Sequence, residues 1–309
     1  MPRGQCRLCN AEADLQLSHI LPAFAFRWLR ESSGSGHIRL GVSPNQRVQD
    51  GPKRHWLCAS CEGLLSRSET AFAERLFYPY IRGESSRFVY GEWLLHFCVS
   101  VSWRVLRFHK EETALKNYEP EAIARIAKAE EAWKTFLLGQ RPHPGSFQQH
   151  LLPLDAIDVI SGGSRDISPN INRYLMRAID MDLCRGEKIN FVYSKIGRFI
   201  ILGFIREDRP ERWHGAKVHI KTGRIEPRKY VMPRSFFEYL NAKARRLAEL
   251  LAGISPRQRK KIDQTFRANI DRFVGSDELA AMQNDLRMFG DAAFTQDCLS
   301  EEGKEDIQS

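Results

Sequence analysis

The chain carries two Cys-x-x-Cys pairs, Cys6/Cys9 and Cys58/Cys61, separated by Asn10 to Leu57. No other feature restricts its folding as strongly. A two-residue gap lets both sulfurs of a pair reach one ion, and four thiolates form a tetrahedral set suited to structural Zn²⁺. Such binding stabilises a small module by an apparent ~10–16 kcal/mol, enough for the metal to act as its core. Redox Cys-x-x-Cys motifs, by contrast, come singly beside a βαβ pattern, and this stretch is poor in continuous strands. The seven cysteines are an odd number, with Cys98, Cys184 and Cys298 isolated. The segment Met1–Cys6 lacks the apolar run of a signal peptide. Both points suit a reducing, cytoplasmic setting, in which paired cysteines more often hold metal than form disulfides.

The pairs occupy different local contexts. The first lies in a turn ahead of Leu15–Ile20. The second opens a helix in which Cys58, Cys61, Leu64, Leu65, Ser68, Phe72 and Leu76 recur at three- and four-residue spacing. A knuckle early and a helix start late is the order of a treble-clef zinc fold, predicted over residues 1–82. Within it, Pro22–Leu29 predicts a helix and Ile38–Val48 a strand or loop. Residues 83–152 are predicted as a helical segment, with helices Glu92–His109 and Pro120–Leu138. The apolar stretch Trp93–Leu106 is interrupted by His96, Ser100, Ser102 and Arg104. It reads as a buried helix, and no run reaches the ~18–20 apolar residues that span a bilayer. No membrane partner is expected.

Residues 153–295 change character. Ser161–Ser164 reads as a turn, and Ser168 as the cap of a helix Asn170–Asp180. Ile189–Tyr193, Phe199–Ile205 and Lys217–Ile220 read as strands of a small antiparallel sheet, with turns at Gly197 and Thr222–Arg224. Basic helices follow over Ser235–Leu251 and from Ser255-Pro256 onward. Residues 296–309 read as a disordered acidic tail. The fold class is α+β: a zinc module, a helical segment, a small antiparallel sheet and C-terminal helices.

Between the pairs stands Leu17-Ser18-His19-Ile20-Leu21-Pro22. The series Cys6-x-x-Cys9, Ser18-His19-Ile20-x-Pro22, Leu57-Cys58-x-x-Cys61 resembles the zinc-bearing HNH endonucleases, a treble-clef group of His-Me finger type. The resemblance covers the N-terminal quarter. It implies hydrolysis of phosphodiester bonds, with His19 as the general base that activates water. An imidazole suits that task because its pKa lies near neutrality. It further implies a catalytic divalent ion such as Mg²⁺. Ser18 stands where that family usually has a metal ligand, and Glu62 where it often has asparagine. Glu62 and Glu69, on the second helix, are the candidate oxygen ligands; Asp50 and His55 are further candidates.

The formal net charge is +9, which draws a protein toward polyanions because neutralising phosphates releases counterions. Arg47, Lys53 and Arg54 are the candidate nucleic-acid contacts, with DNA ahead of RNA as the partner. Arg257, Arg259, Lys260 and Lys261 form a second basic run, which reads either as tracking a backbone or as a charged exposed helix face. The alternative to an enzyme is a non-catalytic zinc module that binds nucleic acid or a protein, with residues 83–295 available to a protein partner.

Overall fold

The computed structural model describes residues 1–40, 43–113, 115–116, 118–157, 167–226, 230–274 and 276–293. In chain order its elements are β1 (Arg3–Gln5), β2 (Glu12–His19), α1 (Ala23–Glu31), β3 (Ile38–Leu40), β4 (Ser43–Val48), β5 (Lys53–Cys58) and α2 (Ala59–Phe72). A π-helical turn Ala73–Phe77 leads into α3 (Tyr78–Ile81), then β6 (Phe88–Tyr90), α4 (Glu92–Thr113), α5 (Pro120–Leu137) and β7 (Gln149–Pro153). There follow α6 (Ile171–Arg177), β8 (Ile179–Arg185), β9 (Ile189–Ile196), β10 (Phe199–Glu207) and β11 (Gly223–Ile225). The chain continues through α7 (Arg234–Ala252), α8 (Pro256–Ala268), α9 (Ile270–Phe273) and α10 (Asp277–Phe289). The mixture of helices with small antiparallel sheets is the α+β class expected. The chain forms two compact units. One comprises Met1–Ala25, Gly51–Pro153 and Ile179–Pro233; the other comprises Phe26–Asp50, Leu154–Ala178 and Arg234–Ser309. These units are discontinuous, unlike the sequential segments 1–82, 83–152 and 153–295.

In the first unit α4 is central. It packs against α2 and also against the four-stranded antiparallel sheet of order β7-β10-β9-β8. Leu94, Phe97, Cys98, Val101, Trp103 and Leu106 are all buried, so α4 is apolar around its circumference, as a core helix must be. Close approach to the sheet depends on Gly203 of β10. A Cβ there would sit 2.6 Å from Ser102 Oγ of α4 and 3.0 Å from the Trp133 ring of α5. Phe72, at the end of α2, stacks on Phe97 with centroids 4.0 Å apart and meets Phe199 edge-on at 5.4 Å. The cysteine-bearing module therefore shares one core with the helices and sheet.

The β9–β10 hairpin turns through Gly197 at φ +55, as its position between two apolar strands predicts. Other expectations need correction. Lys217–Ile220 is not a strand; Lys217 makes a single bridge to His150. Gly223 and Arg224 do not turn but begin β11, which pairs with β6. The helix expected to run to Asp180 ends at Arg177, and β8 begins two residues later. The cap of that helix is Asn170 rather than Ser168. The turn Ser161–Ser164 and the tail 296–309 lie outside the described residues.

The second unit joins the β3–β4 hairpin to α6, α7, α8 and α10. Its interior combines apolar residues, among them Ile171, Leu175, Phe236 and Leu240, with buried polar side chains. Asp285 of α10 accepts from the amides of Asn172 (3.0 Å) and Arg173 (3.2 Å) at the start of α6. These are amides that have no partner inside their own helix. Asn241 of α7 accepts from the Ser168 amide at 2.7 Å. Arg177 donates to Ser32 Oγ at 2.7 Å and lies 4.8 Å over the Trp28 ring.

Candidate metal centre and the His19 strand end

The chain between β1 and β2 turns tightly at the first cysteine pair. The Asn10 amide bonds the Cys6 carbonyl, and Asn10 takes a left-handed φ of 64. This conformation is tolerated better by asparagine than by most residues. β2 then pairs with β5, whose last residue, Cys58, is the N-cap of α2. Cys61 follows within the first helical turn. A knuckle, a hairpin and a helix start thus bring the four sulfurs together, and all four lie within 4.8 Å of one another.

The geometry suits a metal. Tetrahedral Zn–S bonds of ~2.3 Å put neighbouring sulfurs about 3.8 Å apart, and Cys9 Sγ lies 3.8 Å from Cys58 Sγ. That separation is far beyond a disulfide bond. The Cys58 amide points at Cys6 Sγ from 3.4 Å. Burial acts to raise the Cys6 thiol. The backbone amides of Cys9, Cys58 and Leu8 outweigh it and bring Cys6 down to about 7. Burial and the neighbouring sulfurs push Cys61 up strongly, and Cys9 is raised, chiefly by burial. Cys6 thus favours its thiolate form more than Cys9 and Cys61 do. Cys6, Cys9, Cys58 and Cys61 could hold a metal ion such as zinc. Among the described residues no other group of three or more histidines, cysteines or carboxylates is gathered in this way.

β2 carries the second part of the site. Its register against β5 slips between Gln16 and Leu17, leaving Trp56 without an opposite residue. Such irregularities re-aim side chains. Leu15 is buried, Leu17 is 51% exposed and Ser18 is fully buried, so the inward alternation changes sense across the slip. Ser18 Oγ donates to Glu62 Oε2 of α2 at 2.6 Å. His19, at the strand's end, is part-buried.

Glu69 stands two helical turns beyond Glu62 and has a different partner. Its Oε1 lies 2.5 Å from Arg104 Nη2, and the Arg104 side chain is only 3% exposed. Arg104 also donates to the His19 carbonyl at 3.0 Å and to Ser100 Oγ at 3.2 Å. It therefore ties α4, α2 and the end of β2 together. Sequence reasoning gave Arg104 no role; its signal was a single guanidinium within the apolar stretch Trp93–Leu106.

The remaining candidates are dispersed. His55 donates from Nδ1 to the Leu15 carbonyl at 3.1 Å, a bond across the β2–β5 pair. Arg54 is paired with Glu112 and lies 5.1 Å over the Phe108 ring. Lys53 is opposite His19 in the β2–β5 register. Arg47 and Asp50 belong to the second unit, and Arg47, in a stretch expected as strand or loop, lies on β4. No helix is long and apolar enough to cross a membrane among the described residues. In comparisons with known proteins, no family profile matches the chain, and no curated protein or solved structure matches it.

Proposed function

We propose that this chain is a metal-dependent hydrolase of phosphodiester bonds in nucleic acid, akin to the HNH endonucleases, with His19 as general base. The observation that carries this reading is the 2.6 Å hydrogen bond from Ser18 to Glu62. Ser18 itself has no charge to offer a hard divalent ion. Its hydroxyl instead orients a carboxylate from α2 at the residue preceding His19. Further support comes from the order of the motifs and from the strand–strand–helix arrangement around the four cysteines.

The residues suit a lightly held ion. Mg²⁺ commonly binds through one or two carboxylates, with waters and substrate phosphates completing its shell. Glu62 would hold it, and the ion would supply charge neutralisation at the departing oxygen. His19 would take the proton of the attacking water. Arg104 fixes the His19 backbone through the carbonyl, and its pairing with Glu69 makes Glu69 a positioning group rather than a second ligand.

The test is plasmid cleavage with Mg²⁺, Mn²⁺ and Ni²⁺ in turn, comparing wild type, His19→Ala and Glu62→Gln at equal zinc content. General-base catalysis contributes about 10²–10⁴-fold, so His19→Ala should lose at least a hundredfold in rate. Cleavage unchanged in His19→Ala would remove His19 from the mechanism. The second reading is a non-catalytic zinc module that binds nucleic acid or a protein partner. The Arg104–Glu69 pair favours it, because a guanidinium neutralises one of the two expected carboxylates. Wild-type protein inert with every ion would select it.

A further inference from the structure

Several basic side chains on the β3–β4 hairpin and on α8, both in the second unit, have no acidic partner among the described residues. Arg39 and Arg47 sit directly opposite each other across the β3–β4 hairpin, a placement of like charges that is unfavourable in a sheet. Burial, and then the charge of Arg47, lower the Arg39 guanidinium below its ordinary value. The hairpin is nevertheless held firmly. Arg39 donates to the Pro44 carbonyl at 2.7 Å and to Gln258 Oε1 of α8 at 3.3 Å. Asn45 clamps the turn between α7 and α8, donating to the Gly253 carbonyl at 3.1 Å and accepting from the Ser255 amide at 2.7 Å.

α8 buries none of its residues. Arg257, Lys260, Lys261 and Gln264 recur at the i, i+3, i+4, i+7 positions of one face, and all four are exposed. The one acid on the helix, Asp263, is taken by Arg267 at 3.1 Å. Among the described residues Arg47, Arg257, Lys260 and Lys261 have no acidic partner. From Arg257 to Lys261 the rise is about 6 Å, close to two nucleotide steps of ~3.4 Å along one strand.

We infer that the β3–β4 hairpin and the basic face of α8 together form a binding surface for the phosphate backbone of nucleic acid. Arg47, Arg257, Lys260 and Lys261 make the contacts, and Arg39 and Asn45 hold the two elements in register. The inference rests on the reading of the chain as acting on nucleic acid, but it assigns the grip to the second unit and leaves Arg54 as a structural residue.

Binding alone tests it. Fluorescence anisotropy is recorded with labelled 30-base-pair DNA and RNA duplexes across a KCl series, without added Mg²⁺. Flotation with anionic phosphatidylserine vesicles is run alongside. Each phosphate contact contributes a slope of about −0.9 in log K against log salt. Lys260→Glu/Lys261→Glu should lower the slope's magnitude by about 1.8 and weaken binding more than tenfold, with helix content unchanged. Arg47→Glu should remove a further contact, and Arg54→Ala should leave the slope as it is. Equal slopes in wild type and the charge reversals would overturn the surface, as would vesicle binding without duplex binding. A protein that binds through these residues but cleaves nothing keeps this inference and loses the catalytic one. Cleavage with binding indifferent to them does the reverse.

Discussion

In the first unit the fully buried side chains are mostly apolar and include the rings of Phe72, Phe97, Trp103, Trp133 and Phe199. In the second unit the deepest groups include Asp285 and Asn172, also without exposed surface, with Arg177 close behind at 8%. Apolar burial is non-directional and scales with area. Buried hydrogen bonds are directional, and each lost partner leaves a desolvated group unsatisfied. The two units should therefore fail in different ways. The first should depend on metal and packing, the second on individual acceptors and on protonation.

The largest expected effect comes from the cysteines. Cys58→Ser should release metal and unfold the first unit, given an apparent ~10–16 kcal/mol for structural zinc in small modules. Metal content and near-ultraviolet circular dichroism read it. Trp28, the only tryptophan in the second unit, reports whether that unit survives. Retained metal would refute the ligand assignment.

Substitution inside each unit sharpens the contrast. Phe72→Ala should cost about 3–5 kcal/mol as a large-to-small core change, by urea unfolding. Asp285→Ala should cost about 1–3 kcal/mol, because the amides of Asn172 and Arg173 lose their acceptor. Asp285→Asn keeps a carbonyl oxygen and should recover part of that loss. Equal recovery in a leucine variant would show that Asp285 only fills space.

Protonation gives the most diagnostic difference. Burial, then the charge of Lys217, lowers His150 of β7 from 6.5 to about 4. The unfolded chain then binds more protons between those values. The first unit should lose stability as pH falls from 6.5 to about 4, by an amount on the order of 3 kcal/mol. Asp285 acts with the opposite sign. Burial raises its carboxyl above the ordinary value of 3.8 despite the amides it accepts from. Its protonation on folding favours the second unit as pH falls through the raised value toward 3.8. Hydrogen exchange resolved by segment measures both slopes. Parallel slopes in the two units would remove the distinction.

The parts of this design that are local in the chain were legible from it. The two cysteine pairs, the apolar circumference of α4 and the periodic faces of α5, α7 and α8 each carry their signal within a few turns. His19 and Glu62 were candidates through the motif resemblance, one before Ile20-x-Pro22 and one directly after Cys61. What escaped depends on partners. β1, β6 and β11 are three residues long and exist as strands only through pairing. β8 carries two aspartates among seven residues and is mostly half-buried, so its propensity is weak and β9 supplies the reason for its extension. The slip at Trp56, which turns Ser18 inward, has no local marker. Neither does Asp285 as the acceptor for α6, an assignment that joins residues from widely separated segments.

Each unit is assembled from three segments, so the chain passes between them five times. This gives their completion an order during synthesis. All segments of the first unit have been made once Pro233 is added. The second waits for α10, because the amides at the head of α6 have no carboxylate to receive them until Asp285 has left the ribosome. A nascent chain can thus close its cysteine cluster and its aromatic core while the opening turn of α6 is still solvated by water.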